Sequence, residues 1–305
     1  MVSTTSAERK ALLPRGVIDT LAGTAGGWAL VLVGHPFDTI KVRLQTSKQY
    51  SGMVDCIKQT VAKEGVRGLY KGMISPLTGI TFVNSVQFAM YMQGIYFFQR
   101  MLGVKEGERL PIQYVCLAGM VAGIPQSMVE GPQDLLKAKM QVQRADNKLY
   151  SSTFDCAKKI GSTQGVRGIY QGLGATILRN IPANAGYFGV YESSKRWFAD
   201  HGADQKREVK DLKPYEILLS GGLGGCACWI ASYPMDVVKS LMQTDHVNKA
   251  ERLYNNVPDA IRKINQQQGP KAFFRGFTPC IVRAFPANGA CFFAYEFSKS
   301  VMEKL

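Results

Sequence analysis

The sequence repeats itself three times at intervals of about a hundred residues. His35-Pro36-Phe37-Asp38-Thr39-Ile40-Lys41 returns as Gly131-Pro132-Gln133-Asp134-Leu135-Leu136-Lys137, and again as Tyr233-Pro234-Met235-Asp236-Val237-Val238-Lys239. A glutamine stands four residues past each lysine, at Gln45, Gln141 and Gln243. A GxxxG pair precedes each copy: Gly23/Gly27, Gly119/Gly123 and Gly221/Gly225. Downstream, Gly65-Val66-Arg67-Gly68-Leu69-Tyr70-Lys71-Gly72 matches Gly165-Val166-Arg167-Gly168-Ile169-Tyr170-Gln171-Gly172, and more loosely Gly269-Pro270-Lys271-Ala272-Phe273-Phe274-Arg275-Gly276. Asn84, Asn184 and Asn288 follow in step. Anchors in three registers make this one domain of residues 1–305 built from three copies of a single unit, at 15–105, 110–201 and 212–303.

Each unit contains two long apolar stretches. Met73–Phe98 runs for 26 residues without Asp, Glu, Lys or Arg, enough for a helix to cross a bilayer. Leu173–Tyr191 and Phe277–Tyr295 each hold one charge, Arg179 and Arg283. Val17–Gly34, Pro111–Gly131 and Tyr215–Tyr233 are glycine-rich with few charges, as close helix approach in lipid requires. Polar amphipathic pieces such as Met53–Glu64 and Phe154–Thr163 lie between. The expected fold is an all-α membrane protein with six transmembrane helices in three pseudo-symmetric repeats and three short surface helices. An even number of spans places both termini on one side. The mean hydropathy of −0.07 conceals these spans, because cavity faces and surface helices are polar.

Composition narrows the function. Hydrophobic residues make up 46% of the chain, which excludes disorder. Seven cysteines without a Cys-x-x-Cys pair, and three histidines, give no zinc framework; reduced thiols packed as small apolar groups are expected. Met1–Lys10 has no apolar core of a secretory signal. With no nucleophile–base pair, no enzyme activity and no cofactor are expected. The 37 basic residues exceed the 23 acidic ones, a net charge of +14, but form no compact motif for nucleic acid. The charge suits anionic solutes and anionic lipid instead.

The repeated motif has a physical reading. Proline removes one helix hydrogen bond and kinks the axis, so three symmetric kinks bring three helix ends together. Asp and Lys three residues apart share one helix face. Asp38, Asp134 and Asp236 can thus pair with Lys41, Lys137 and Lys239 of neighbouring helices, closing one end as a gate. Gln45, Gln141 and Gln243, one turn on, are placed to bridge these pairs. Charges inside a span are costly and usually functional. Arg179 and Arg283 lie at one depth, with Gly79 in the equivalent place of the first repeat. Two guanidiniums suit a carboxylate; Gly79 leaves room for bulk. Asn84, Asn184 and Asn288, just over a turn further, are placed to bond the solute or each other.

Three copies of Pro-x-Asp-x-x-Lys closing Gly-rich segments, with three Gln and three aromatic-x-Gly anchors, resemble the mitochondrial carrier family over essentially the whole chain, from Val17 to Ser300. The resemblance implies a pseudo-threefold bundle around a water-filled cavity, multi-pass in the mitochondrial inner membrane, moving solutes by alternating access. It implies that the Asp/Lys ring faces the matrix. It implies a cytoplasmic gate of aromatic-acidic-x-x-basic motifs, present as Tyr191, Glu192 and Lys195 and as Tyr295, Glu296 and Lys299. The first repeat reads Tyr91-Met92-Gln93-Gly94-Ile95 and lacks both charges, so this gate is expected to be incomplete and to open more easily. The family's solute contacts lie at the level of Gly79, Arg179 and Arg283.

The stretches at 34–46 and 286–296 look like the carnitine/acylcarnitine and basic amino acid branch. That branch usually places an acid beside the second-repeat arginine. Here Asn180 stands there, an Arg-Asn pair resembling carboxylate-type carriers, while Glu130 and Asp19 remain as replacement anions. The expected solute is therefore carnitine, an acylcarnitine or a related amino-acid-like molecule bearing a carboxylate; basic amino acids and small carboxylates are the alternatives. A membrane scaffold without transport is the alternative of another class, and proton or fatty-acid conductance a third. The family also binds cardiolipin at helix N-termini, here at Gly52, Lys71 and Gly72, at Gly172, and at Arg275 and Gly276. Gln171 removes the base from the second of these sites and should weaken it. A monomer is expected.

Overall fold

The protein's structure, a computed structural model, describes residues 15–47, 49–105, 108–143, 149–201, 209 and 212–304; of residues 15–20, 214, 218, 285, 292, 296, 303 and 304 only the backbone is described. Asp19 and the Glu296 side chain thus lie outside the described residues. Nine α-helices and no strand occur among the described residues. They come as three long-short-long units: α1 (Arg15–Thr46), α2 (Met53–Glu64) and α3 (Ile74–Leu102); α4 (Ile112–Val142), α5 (Thr153–Ile169) and α6 (Leu173–His201); α7 (Pro214–Thr244), α8 (Val257–Gln268) and α9 (Phe277–Lys304). By length and hydropathy alone, Ile112–Val142 and Tyr215–Thr244 are apolar enough to cross a membrane.

The long helices run further than the apolar stretches. α1, α4 and α7 continue through Pro36, Pro132 and Pro234, because proline removes one backbone bond and the next turns restore the ladder. α5 passes Thr163 and reaches Ile169 across a kink at Gly165, where φ is 61°. Gly65 and Gly269 hold the same left-handed geometry, with φ of 67° and 73°, which favours a residue without Cβ.

Each short helix starts with an aspartate that accepts a hydrogen bond from the backbone ahead of it. Ser51 N, Ser151 N and Asn255 N donate to Asp55, Asp155 and Asp259 at 3.0, 2.9 and 3.0 Å. The helices then settle on the proline-bearing helices through three equivalent apolar clusters. Cys56 meets Ile40, Leu44 and Tyr50; Cys156 and Ile160 meet Leu135 and Met140; Ala260 and Ile264 meet Val238 and Ala175. Burial pushes the Cys56 and Cys156 thiols up to about 11, so both are neutral packing groups at physiological pH.

The units close on one another through α3–α4, α6–α7 and α9–α1. Glycine makes these approaches possible, but not always at the predicted pairs. A Cβ on Gly119 or Gly123 would meet the backbone oxygens of Asn184 or Asn180 at 2.9 and 3.1 Å, so this pair does seat α4 on α6. Gly23, Gly27, Gly221 and Gly225 have no such neighbour within 4 Å among the described residues. In α1 and α7 the close contacts fall at Gly26, against the Cys291 oxygen at 3.0 Å, and Gly224, against the Tyr187 oxygen at 2.9 Å. The GxxxG pairs of the first and third repeats therefore do not mark a tight interface. Among the described residues, only the second unit packs its two long helices closely on each other.

Candidate functional site

At the proline end the three Asp-x-x-Lys motifs meet in a ring. Lys137 Nζ lies 2.6 Å from Asp38 and Lys41 Nζ 2.7 Å from Asp236, and Lys239 pairs with Asp134. Each lysine thus reaches the aspartate of a neighbouring unit, and the three pairs close the bundle here. Their low exposure means that desolvation offsets much of the attraction, which suits contacts that must break and re-form.

The glutamines do not all brace these pairs. Gln45 does: its amide donates to Asp236 at 3.0 Å and to the Tyr233 hydroxyl at 3.4 Å. Gln141 instead donates to Thr39 Oγ1 at 3.1 Å, and Gln243 to Thr176 Oγ1 at 3.4 Å. The reason is competition at the carboxylates. Arg283 pairs with Asp38, and Arg179 stands 3.5 Å from Asp134. Among the described residues no arginine pairs with Asp236, and Gln45 takes the vacant side.

A cavity of about 370 Å³ opens directly above this ring. Asp38, Glu130, Asp134 and Asp236 face it with Lys41, Lys137, Arg179, Lys239 and Arg283: four carboxylates against five cations. Both arginines already hold a carboxylate of the protein. Arg283 on α9 reaches across Gly34, whose Cβ position lies 3.4 Å from the arginine Cδ, to Asp38 on α1. The same rule would send Arg179 on α6 to Asp236 on α7. Glu130 on α4 draws it back: its carboxylate lies 2.5 Å from Arg179 and accepts from Asn180 Nδ2 at 2.8 Å. The acid missing beside Arg179 in the sequence is thus supplied by the adjacent helix. Its counterparts in the other repeats, Gly34 and Ser232, carry no charge.

Other predicted contacts divide. Asn84 lines the cavity. Asn180 and Asn184 are buried and engaged: Asn180 also donates to Ser127 Oγ at 2.8 Å, and Asn184 sits between Gln126 at 2.7 Å and Gln87 at 2.8 Å. Asn288 is exposed on α9 and is not part of the cavity wall. The three asparagines therefore do not bond one another. Gly79 does not leave open space: the Gln133 side chain occupies the place where its Cβ would be, and Gln133 forms that part of the wall. Gln126, Gln133 and Trp229 also line the cavity; in sequence Gln126 and Trp229 belong to no repeated anchor, and Gln133 stands in the repeated motif where the other copies hold Phe37 and Met235.

At the opposite end Glu192 pairs within its own helix, with Lys195 at 2.8 Å and Arg196 at 2.9 Å. Lys195 lies over the Tyr191 ring at 4.5 Å and Lys299 over Tyr295 at 5.6 Å. Glu192 thus makes no ion pair across helices among the described residues, whereas the Asp/Lys ring is closed.

The junctions between units use the second repeated motif. Gly72, Gly172 and Gly276 have φ of 80°, 79° and 80°. A Cβ on Gly72 or Gly276 would stand 3.0 Å from the Lys137 or Lys41 carbonyl oxygen, and on Gly172 2.9 Å from Gln243. Lys71 points inward, contrary to a headgroup role: it pairs with Glu64 at 2.8 Å and donates to the Gln143 carbonyl at 2.9 Å. Arg43 completes this network on Glu64 at 2.8 Å and the Gln141 carbonyl at 3.0 Å. Burial raises the Glu64 carboxyl, but hydrogen bonds and charge from Arg43 and Lys71 outweigh it and hold the group below its ordinary range. Gln171 plays the same part in the second unit, donating to the Met242 carbonyl at 2.8 Å. Arg275 keeps within its unit, 3.5 Å from Gln268. Gly52 stands as predicted at the start of α2.

The mitochondrial carrier protein family model matches residues 15–102, 108–202 and 210–305, one match for each unit. The chain is 39% identical over 282 residues to mitochondrial substrate carrier family protein S of Dictyostelium discoideum, covering 92% of this chain and 96% of that protein. It is 36% identical to the mitochondrial carnitine/acylcarnitine carrier protein of Rattus norvegicus, covering 92% and 93%. It is also 36% identical to a glutamate/glycine mitochondrial carrier of Schizosaccharomyces pombe, covering 93% and 96%.

Proposed function

Because this chain belongs to the mitochondrial carrier family, whose members are transporters, we propose that it carries carnitine, an acylcarnitine or a related amino-acid-like zwitterion across the mitochondrial inner membrane. The six long helices span the bilayer, and the Asp/Lys ring is the matrix gate. Tyr191, Glu192 and Lys195, with Tyr295, Glu296 and Lys299, form the incomplete cytoplasmic gate. Transport proceeds by alternating access, as exchange.

One observation carries the choice of solute. Glu130 places a carboxylate against Arg179 at the depth where Arg283 also enters the cavity. A solute with both a carboxylate and an ammonium can match this wall on both signs. A polyanion would meet four carboxylates there. In this reading Arg283 binds the solute carboxylate on leaving Asp38, Glu130 binds the cation, and Arg179, Asn180 and Asn84 complete the seat, with Asn184 supporting it through Gln126. The relatives named for carnitine/acylcarnitine and for glutamate/glycine both handle molecules of this chemical kind. Basic amino acids and small carboxylates are the alternatives within the same site. Cardiolipin is assigned to the helix starts at Gly52, ahead of α2, and at Gly72, Gly172 and Gly276, ahead of α3, α6 and α9, with Arg275 as a base.

Uptake into proteoliposomes tests the reading. Carnitine, acylcarnitines, basic amino acids and small carboxylates are offered outside to vesicles loaded with the same solute. Saturable counter-exchange of a zwitterion supports it. Exchange of small carboxylates alone overturns the solute assignment, and no exchange of any solute favours a non-transporting scaffold.

A further inference from the structure

The three gate lysines are not equivalent. Lys41 Nζ, besides its pair with Asp236, sits 4.3 Å above the centroid of the Trp229 ring and 5.4 Å from that of Tyr233. Lys137 and Lys239 have no ring contact of this kind among the described residues. The cause is in the sequence. Trp229 lies five residues before Pro234, and the matching positions before Pro36 and Pro132 hold Val31 and Ser127. Trp229 is also the only aromatic residue of the cavity wall described, where it stands with Glu130 and Arg179.

An indole face carries negative electrostatic potential and attracts any cation that reaches it. Weakly hydrated alkylated ammonium groups are the best suited, because they lose little solvation on contact. Trp229 therefore serves two functions that the rest of the cavity keeps apart: it forms the solute wall and supports a gate residue. Building on the zwitterion reading above, we infer that Trp229 is the specificity-determining seat for the solute's cationic group, shared in turn with Lys41. With the cavity empty, the ring holds the Lys41 ammonium and reinforces the Lys41–Asp236 pair. A solute ammonium drawn between Glu130 and the indole competes for the ring, and Lys41 loses one of its supports. Occupancy of the solute seat is thereby communicated to one of the three gate pairs and not to the other two. A ligand shifts an equilibrium only by its differential affinity for the two states; the ring supplies such a difference for cations and none for neutral tails.

The test uses the full-length protein in proteoliposomes and three carboxylates built on one four-carbon chain: carnitine with a quaternary ammonium, 4-aminobutyrate with a primary one, and butyrate with none. Each is measured as an inhibitor of labelled carnitine exchange by the wild type and by Trp229→Leu and Trp229→Phe. Trp229→Leu is expected to weaken carnitine about tenfold, 4-aminobutyrate less, and butyrate not at all. Trp229→Phe, which keeps a ring, should fall between wild type and Trp229→Leu and guards against a folding defect in the leucine variant. Equal weakening of all three compounds, or unchanged affinities with only a lower maximal rate, would overturn the inference. Failure of the wild type to exchange any zwitterion would instead overturn the zwitterion reading, so the two failures are distinct.

Discussion

The Glu130 carboxylate stands 2.5 Å from the Arg179 guanidinium and takes a 2.8 Å hydrogen bond from the Asn180 amide. An acid from α4 thus supplies the negative charge that an acid at position 180 would otherwise bring. It turns Arg179 away from the helix to which threefold symmetry would direct it. The second unit is therefore the one that adds to the cavity a carboxylate beyond the ring aspartates.

Glu130→Gln removes that anion while keeping the shape. Transport of ammonium-bearing solutes should fall by about tenfold or more in kcat/KM, the value of one charge-assisted hydrogen bond. Small carboxylates should lose much less. Kinetics for one zwitterion and one simple carboxylate check this; equal losses for both would assign Glu130 to structure alone.

Arg283→Ala should abolish exchange and leave a folded, monodisperse protein. The arginine contacts Asp38 in the closed ring, and the variant leaves that aspartate to Lys137 alone as well as removing the carboxylate seat. Size-exclusion chromatography and vesicle uptake together decide the matter. Transport near the wild-type rate would reject Arg283 as a solute contact.

Much of this arrangement was legible in the sequence, and the exceptions have physical causes. The three units followed from repeated anchors, and the pairing of Asp38, Asp134 and Asp236 with lysines of other units followed from their shared helix face. What the sequence did not disclose was competition between neighbours in space. Gln141 and Gln243 turn from the ring because arginines already occupy Asp38 and Asp134. Gly79 is filled because Gln133, a residue of the repeated motif on the adjacent α4, folds into its place. Lys71 points inward because Glu64 and the Gln143 carbonyl are nearer partners than any headgroup. Glycine spacing likewise marked the helices that pack but not the faces they use, since Gly26 and Gly224 lie beside the expected pairs.

Met92→Glu together with Ile95→Lys supplies the missing charged positions of the first repeat. The ionic restraint at the end opposite the Asp/Lys ring becomes threefold, and transport should slow. Initial exchange rates at saturating solute measure the effect; an unchanged rate would remove the incomplete gate from the account.

Glu64→Gln should loosen the first junction. It leaves Arg43 and Lys71 facing a neutral group in a mostly buried site, a loss of about 3 kcal/mol, visible as a lower unfolding temperature by several degrees in detergent. The pH dependence has a definite sign. The Glu64 carboxyl is held below its ordinary range in the folded protein, so its contribution is present in full above the unfolded value and is lost as pH falls through the folded one. The gap between wild type and Glu64→Gln should therefore close on acidification below the usual carboxylate range. A gap independent of pH would contradict the role assigned to this charge.

The central claim is that a mixed-charge cavity above a closed Asp/Lys ring exchanges a zwitterion. Its most direct test is uptake of labelled carnitine into proteoliposomes containing the wild-type protein, with and without internal carnitine. The account predicts saturable uptake that depends on the internal solute and drops at least tenfold in Glu130→Gln. Uptake of simple carboxylates with no carnitine exchange at any concentration would contradict it.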